Sequence, residues 1–258
     1  VQPEGILERS DKEFREDEGL PPVVQVLAGG VPDRIMIDED GLRFWVDPHH
    51  GLKTGFFLDQ RQARRRVREL VGADQTFLDA FSYTGAFGIV AASRGARAVC
   101  VEQEEAFLAL AKDNAALNGV ADRIEFIAGN AFYWLEAATN RPLRWEWVLL
   151  DPPALAKSKA EVLKGRQALH HLVVQALTLL KPEGMLAVSL CTYHLLGLAE
   201  EIIRIAAGAC GVRVRVRELW TQAADHPWIL QIPTTRYLTS WVLARDERSA
   251  AESTSTTR

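Results

Sequence analysis

From residue 76 onward, short apolar runs alternate with stretches of helical period. Runs at 76–81, 98–101, 124–127, 147–150 and 185–190 read as strands. Helices are expected after Gly85, at 104–117, after Asn130, at 166–180 and at 198–209. Strands that alternate with helices run parallel, because each helix carries the chain back across a face of the sheet. The expectation is therefore an α/β, Rossmann-like sheet with helices on both faces. Two later runs, 212–218 and 237–244, have no helix between them, so one antiparallel edge strand is expected. The first of the two alternates Val212, Val214 and Val216 with Arg213, Arg215 and Arg217, the pattern of a half-exposed strand. Ligands of such sheets bind beyond the carboxyl ends of the strands. At those ends stand Asp79, Glu102, Asn130, Asp151 and Cys191.

Each strand end suggests a chemical role. Asp79 closes a strand and is followed by a turn carrying Gly85 and a helix of small residues. There is no Gly-x-Gly-x-x-Gly, and an acid at that point repels a pyrophosphate. It suits a cationic ligand better, and S-adenosylmethionine carries an ammonium and a sulfonium. A Rossmann variant or a plain core turn is the alternative. Glu102 lies about 20 residues past the turn, the spacing of an acid that accepts from both ribose hydroxyls, with a plain acid at a helix N-terminus as the alternative. The Asn130-Ala131 pair can face an adenine edge, or simply make a turn. Asp151-Pro152-Pro153 is an extended, donor-poor loop that can press a flat base against the cofactor while Asp151 holds the base edge. A strand-end turn is the structural alternative.

The three cysteines, Cys100, Cys191 and Cys210, form no Cys-x-x-Cys pair, so neither a disulfide framework nor a zinc site is indicated, and a reducing cytoplasm fits. Cys100 sits mid-strand and Cys210 at a helix end, and both read as structural. Cys191 differs, since it follows an apolar strand and precedes Thr192, Tyr193 and His194. A thiolate there can add to carbon 6 of a pyrimidine and make carbon 5 nucleophilic enough to take a methyl group. The adjacent pairs His49-His50 and His170-His171 cannot share a face, so no metal site is expected.

A net charge of −4 over 258 residues does not describe a generic polyanion binder, so a nucleic-acid contact must come from a local patch or another module. One candidate patch is the helix near 61–70, with Arg61, Arg64, Arg65, Arg66 and Arg68. It reads equally as a solvated face or as an electrostatic footprint for phosphates. No apolar run approaches the roughly 18 residues of a membrane span. Residues 1–50 read as a small β-rich extension: a short helix opened by the capping box of Ser10 and Glu13, a strand at 23–27, and a hairpin turning at Asp40-Gly41. The methyltransferase domain is expected at 51–244, and a disordered tail at 245–258.

Taken together, 54–61, 79–85, Asp151-Pro152-Pro153, Cys191 and 222–227 resemble the bacterial large-subunit ribosomal RNA cytosine-5 methyltransferases, over nearly the whole chain. The resemblance implies a class I enzyme that uses S-adenosyl-L-methionine and forms 5-methylcytosine in ribosomal RNA. It implies Cys191 as nucleophile, and the reading of the strand ends adds Asp151 as its catalytic companion. It further implies that Lys53, Thr54, Phe57, Gln60 and Arg61 lie in the cofactor's shell. Phe81, Tyr83 and Gly85 would lie along its methionine portion, with Glu102 on the ribose; the strand-end reading adds Asn130, Ala131, Asp151 and Pro152 to the site. Related enzymes of the two-cysteine type place a cysteine where this chain has Ala154, so the single-cysteine subgroup is the better match. What removes the carbon 5 proton stays open. The family's usual N-terminal PUA domain is absent from this sequence, which starts at Val1 as expected of a truncated protein, so weak RNA binding is expected. Partners are ribosomal RNA and a possible second copy as a homodimer, with no membrane and no metal. The alternatives are methylation of a purine in ribosomal RNA, or a cofactor-binding RNA module without catalysis.

Overall fold

The computed structural model describes residues 2–11, 15 and 18–247. The chain divides into two units, Val1–Phe57 and Leu58–Arg258. The expected helix after Ser10 falls mostly outside the described residues, as does the expected tail from 248 onward.

The first unit is built from two antiparallel ribbons. Strand β1 (Gly5–Ser10) pairs with β2 (Val23–Gly29), and β3 (Ile35–Glu39) pairs with β4 (Leu42–Val46). The β3–β4 turn has positive φ at both Asp40 (54°) and Gly41 (82°), the backbone that Asp-Gly favours in a two-residue hairpin. Strand β1 was not legible beforehand, because it gains its regularity only by pairing with β2. Phe44 is fully buried, and its ring centroid lies 5.1 Å from that of Phe56. Gly55 has φ 91°, and a Cβ there would fall 2.4 Å from the Asp47 carbonyl oxygen, so the turn carrying Lys53 and Thr54 requires glycine.

The second unit is a seven-stranded sheet. Its strands are β5 (Thr76–Ala80), β6 (Arg97–Glu102), β7 (Ile124–Ala128), β8 (Trp145–Leu150), β9 (Leu180–Leu190), β10 (Val212–Thr221) and β11 (Thr239–Glu247). The spatial order is β10-β11-β9-β8-β5-β6-β7. Strands β5 to β9 pair in parallel, and β11 pairs antiparallel with both β9 and β10. The helices are α1 (Arg61–Leu70), α2 (Ala86–Ser93), α3 (Glu105–Leu117), α4 (Ala131–Thr139), α5 (Val162–Leu179), α6 (Tyr193–Leu196) and α7 (Ala199–Ala209). Helices α4, α5 and α7 bury a large apolar cluster against one face of the sheet, with Leu78, Val148, Leu150 and Val188 beneath them.

The Rossmann-like expectation holds, with one correction. The antiparallel strand is not at the edge. It lies between β9 and β10, and β10 forms the edge. The reason is burial. Residues 241–244 of β11 are apolar and all buried, as a strand covered on both faces must be. Strand β10 instead exposes Arg213, Arg215 and Arg217, a charged pattern suited to an edge. Strand β11 also runs three residues beyond the expected domain end at 244.

Helix α2 approaches β6 closely at Gly88, where an added Cβ would lie 2.3 Å from the Cys100 Sγ. Gly88→Ala should therefore destabilise the fold by roughly 1–3 kcal/mol, the scale of overpacking. Urea unfolding would read this, and adding Cys100→Ala should restore much of the loss. An unshifted midpoint in the single variant would show that α2 can move away at little cost.

Candidate active site

The strand order reverses between β5 and β8, since β5 is followed outward by β6 and β7 on one side and by β8 and β9 on the other. The carboxyl ends of β5 and β8 therefore open the crevice where this class of sheet takes its ligand. The Asp151 backbone amide reaches the Ala80 carbonyl across that gap at 3.5 Å.

Side chains alternate along β5, so Leu78 and Ala80 enter the α4–α5 core while Asp79 turns to the α2 side. Asp79 is 1% exposed. Its Oδ2 accepts from the Gly88 amide at 2.9 Å, in the first turn of α2. Its Oδ1 is buried with no hydrogen-bond partner. Burial raises the Asp79 carboxyl to about 7, opposed by the Gly88 N–H and aided by the charges of Asp151 and Glu102.

The following turn is strained. Phe81, Tyr83 and Gly85 all have positive φ, at 70°, 50° and 77°. Such backbone is costly for an aromatic residue and clusters at ligand sites. Phe81 packs edge-on against Phe132 at 5.1 Å, and Tyr83 against Phe107 at 4.6 Å. Glu102, at the end of β6, accepts from the Tyr83 amide through Oε2 and from the Glu104 amide through Oε1, each at 2.9 Å. It thus ties the turn to the start of α3.

Asn130 caps α4. Its Oδ1 accepts from the Phe132 amide, and its Nδ2 donates to Gln103 Oε1, both at 3.0 Å. Ala131 is buried as the first residue of that helix.

At the other side of the crevice, Asp151 is half-buried and Pro152 is buried. Asp151 Oδ2 accepts from the Gln60 amide at 3.0 Å. Gln60 is buried, and its Oε1 has no hydrogen-bond partner. Cys191 follows β9, next to β8, and is half-buried. The Leu155 amide donates to Thr192 Oγ1 at 3.1 Å, which ties the loop after the two prolines to the loop carrying Cys191. The other two thiols are both shifted toward the protonated form. Burial pushes Cys100 well up, with the Asp79 charge adding to it, and burial also raises Cys210.

Lys53, Thr54 and Phe57 lie in the first unit. The Lys53 ammonium stands over the Phe57 ring at 4.8 Å, and Thr54 Oγ1 donates to the Phe56 carbonyl at 3.3 Å. Arg61 pairs with Asp225 at 2.9 Å. The arginines of α1 divide in a way the sequence did not reveal. Arg64 is buried with its guanidinium 5.9 Å from the Phe87 ring centre. Arg66 bonds Glu218 through Nε at 3.0 Å and Nη2 at 2.5 Å. Arg64 is not available as a phosphate contact, and Arg66 would first have to leave Glu218, so the footprint is smaller than the run of arginines implies.

Two residues were missed. Tyr237 donates its hydroxyl to Asp59 Oδ2 at 2.7 Å, and Asp59 is buried. Burial, the Asp59 carboxylate and the Cys191 thiol together push the Tyr237 phenol upward. Asp59 lies inside the 54–61 run already singled out, whereas Tyr237 offered only a place at the start of a strand. Among the described residues no group of three or more His, Cys, Asp or Glu is placed to hold a metal ion, and no helix is long and apolar enough to cross a membrane.

The strand-end acids, the strained glycine turn and the buried Asp79 oxygen fit a cationic nucleoside. The sequence profile of the S-adenosylmethionine-dependent methyltransferases matches residues 14–206. The chain belongs to this family. It is 36% identical over 246 residues to a protein of Aeromonas salmonicida named ribosomal RNA large subunit methyltransferase I, spanning 92% of this chain and 61% of that one. A protein of the same name from Pseudoalteromonas atlantica is 33% identical over 237 residues, spanning 91% and 60%. The chain thus spans about three fifths of the length of these relatives. Among solved structures, a methyltransferase crystallised with SAH superposes with a TM-score of 0.76 at 26% identity, covering 86% of this chain and 59% of that chain. A SAM-dependent methyltransferase from Streptococcus mutans gives 0.74 at 25%, covering 86% and 58%.

Asp79 supplies a test of this geometry. Its folded value of about 7 lies above the ordinary 3.8, so the native state holds the proton more tightly than the unfolded chain. Stability contributed by this group is then lost as pH rises through that interval, by on the order of a few kcal/mol, and levels off above it. Asp79→Asn removes the titration, so the variant should gain on the wild type as pH rises from 4 to 7. Urea unfolding across that range would show a constant difference if Asp79 titrates normally.

Proposed function

We propose that this chain methylates carbon 5 of a cytosine in large-subunit ribosomal RNA, with Cys191 as nucleophile. The observation that carries the reading is that Asp151 and Cys191 follow neighbouring strands, β8 and β9, whose loops are tied by the Leu155–Thr192 bond, with the glycine turn on the other side of Asp151 after β5. The names of the relatives support the RNA target, and such a target implies a cytoplasmic enzyme.

Cytosine carbon 5 is a poor nucleophile. Cys191 Sγ attacks carbon 6, the ring becomes an enamine, and carbon 5 gains the electron density needed for alkylation. Asp151 holds the edge of the base and shares a proton with ring nitrogen 3, which draws charge off the ring as the sulfur adds. Gln60 orients Asp151 by donating to Oδ2. Pro152 and Pro153 deny the loop two backbone donors and keep it extended along the flat base. When bound, S-adenosyl-L-methionine supplies an electrophilic methyl group on a sulfonium.

Glu102 holds the ribose hydroxyls with the lone pairs left over from its two backbone bonds. Asp79 offers its unpartnered oxygen to the ammonium, and the backbone at Phe81, Tyr83 and Gly85 follows the methionine portion. Since the Asn130 side chain is committed to its cap and to Gln103, the adenine edge is read by the Ala131 backbone.

Glu102→Ala should weaken cofactor binding by about 1–3 kcal/mol, the scale of a charge-assisted hydrogen bond. Calorimetry giving an unchanged affinity would remove Glu102 from the ribose. Cys191→Ala should abolish turnover and leave cofactor affinity intact. RNA bearing 5-fluorocytidine should trap the wild type covalently, because fluorine cannot leave as a proton. A Cys191→Ala protein that still methylates at a comparable rate would overturn the nucleophile and favour a purine target, which needs no thiol.

A further inference from the structure

We propose that Tyr237, backed by Asp59, takes the proton from carbon 5 when the methylated base is released from Cys191. This rests on the reading of Cys191 given above. That reading leaves one step without a residue, because the position where related enzymes carry a second cysteine holds Ala154 and Asp151 is committed to the base edge.

The order of the strand ends decides which side the missing base must occupy. Along the carboxyl edge come Glu102 on β6, the glycine turn after β5, Asp151 after β8, Cys191 after β9, and then β11. A pyrimidine held at Asp151 has the cofactor residues on one side and the thiol on the other. Sulfur and methyl add to opposite faces of the carbon 5–carbon 6 bond. The hydrogen left on carbon 5 is therefore turned to the sulfur's face, toward β9 and β11.

Tyr237 stands on that side. Leu190 pairs with Thr239, so Cys191 lies one residue past the end of β9 and Tyr237 two residues before the start of β11. The Cys191 sulfur is among the groups that raise the phenol, after burial and Asp59. The hydroxyl is held in place by its 2.7 Å bond to the buried Asp59. Both partners are braced. The Ala223 amide donates to the Asp59 carbonyl at 2.9 Å, and the Tyr237 amide donates to Gln222 Oε1 at 3.2 Å. Gln222 Nε2 in turn donates to the carbonyls of His226 and Thr235, each at 2.9 Å.

The step balances without a further reagent. The carbon 5–hydrogen bond breaks, and its electron pair becomes the carbon 5–carbon 6 double bond. The carbon 6–sulfur bond breaks, and its pair leaves on Cys191 as thiolate. The proton passes to the Tyr237 oxygen as the phenol's own proton passes to Asp59 Oδ2. A neutral phenol is too weak a base alone, and the carboxylate behind it supplies the driving force.

The test separates methyl transfer from release. With unmodified large-subunit ribosomal RNA transcribed in vitro, Tyr237→Phe should complete a first methyl transfer at close to the wild-type rate. It should then stall, with turnover lower by about 100-fold or more, the usual scale of a lost general base. A covalent protein–RNA band that survives denaturing electrophoresis should accumulate on natural cytidine, and Asp59→Asn should do the same more weakly. A Tyr237→Phe protein that turns over like the wild type, or one that fails at the first transfer without any covalent band, overturns the relay. Wild-type protein on 5-fluorocytidine RNA distinguishes the two readings. If it forms no adduct, the Cys191 assignment fails; if it does and Tyr237→Phe clears natural RNA normally, only the relay fails.

Discussion

A single buried hydrogen bond organises the crevice: the Asp79 carboxylate accepting from the Gly88 amide. It joins the end of β5 to the first turn of α2 and so sets the span that residues 81–85 must close. Closing it forces Phe81, Tyr83 and Gly85 into left-handed backbone, which isolated aromatic residues avoid. The strain is sustained by what surrounds it. Glu102 accepts from Tyr83, the Ser82 amide reaches the Val101 carbonyl at 3.0 Å, and each aromatic ring has an edge-on partner. Keeping a carboxyl here is unfavourable for folding near neutral pH. A residue held at such a cost is expected where function needs a buried acceptor near a cationic ligand.

A second frame sits across the crevice. Residues 58–61 lead into α1 and reach three separate places: Asp59 to Tyr237, Gln60 to Asp151 and Arg61 to Asp225. The connection between β10 and β11 is folded back on itself by Gln222. This frame depends on the insertion of β11 between β9 and β10. Were β11 at the edge, Tyr237 would stand one strand further from Cys191, and the carboxyl end of β9 would face β10 directly. The topology thus puts a hydroxyl and a carboxylate on the far side of the thiol from the glycine turn after β5.

Much of this was legible in the residues. The five strand ends, the glycine turn and the distinction of Cys191 from Cys100 and Cys210 follow from apolar runs and their terminal polar residues. Those signals are local, and local periodicity survives folding unchanged. The arginines of α1 show where such reading fails. Arg61, Arg64, Arg65, Arg66 and Arg68 are one charged run in the sequence, yet Arg64 is buried beneath Phe87 while Arg66 is paired with Glu218, 152 residues away. Helical period assigns a face to each, but what covers that face is decided by distant parts of the chain. Likewise Asn130 carried two open readings, and its bonds to Phe132 and Gln103 tell which atoms are already committed.

By itself the sequence determined the alternation of strands and helices, the parallel direction that alternation requires, and the chemical character of each strand end. The continuous apolar run at 241–244 also held the evidence that β11 is interior. Only the tertiary structure decided which strands are neighbours, and with that which strand ends face one another. Pairings such as Asp59 with Tyr237 join residues 178 positions apart. No local preference encodes them, because each partner is satisfied equally well by water until the sheet closes and water is excluded. The burial of the sheet as a whole, rather than any property of the two residues, is what turns their contact into a fixed feature of the site.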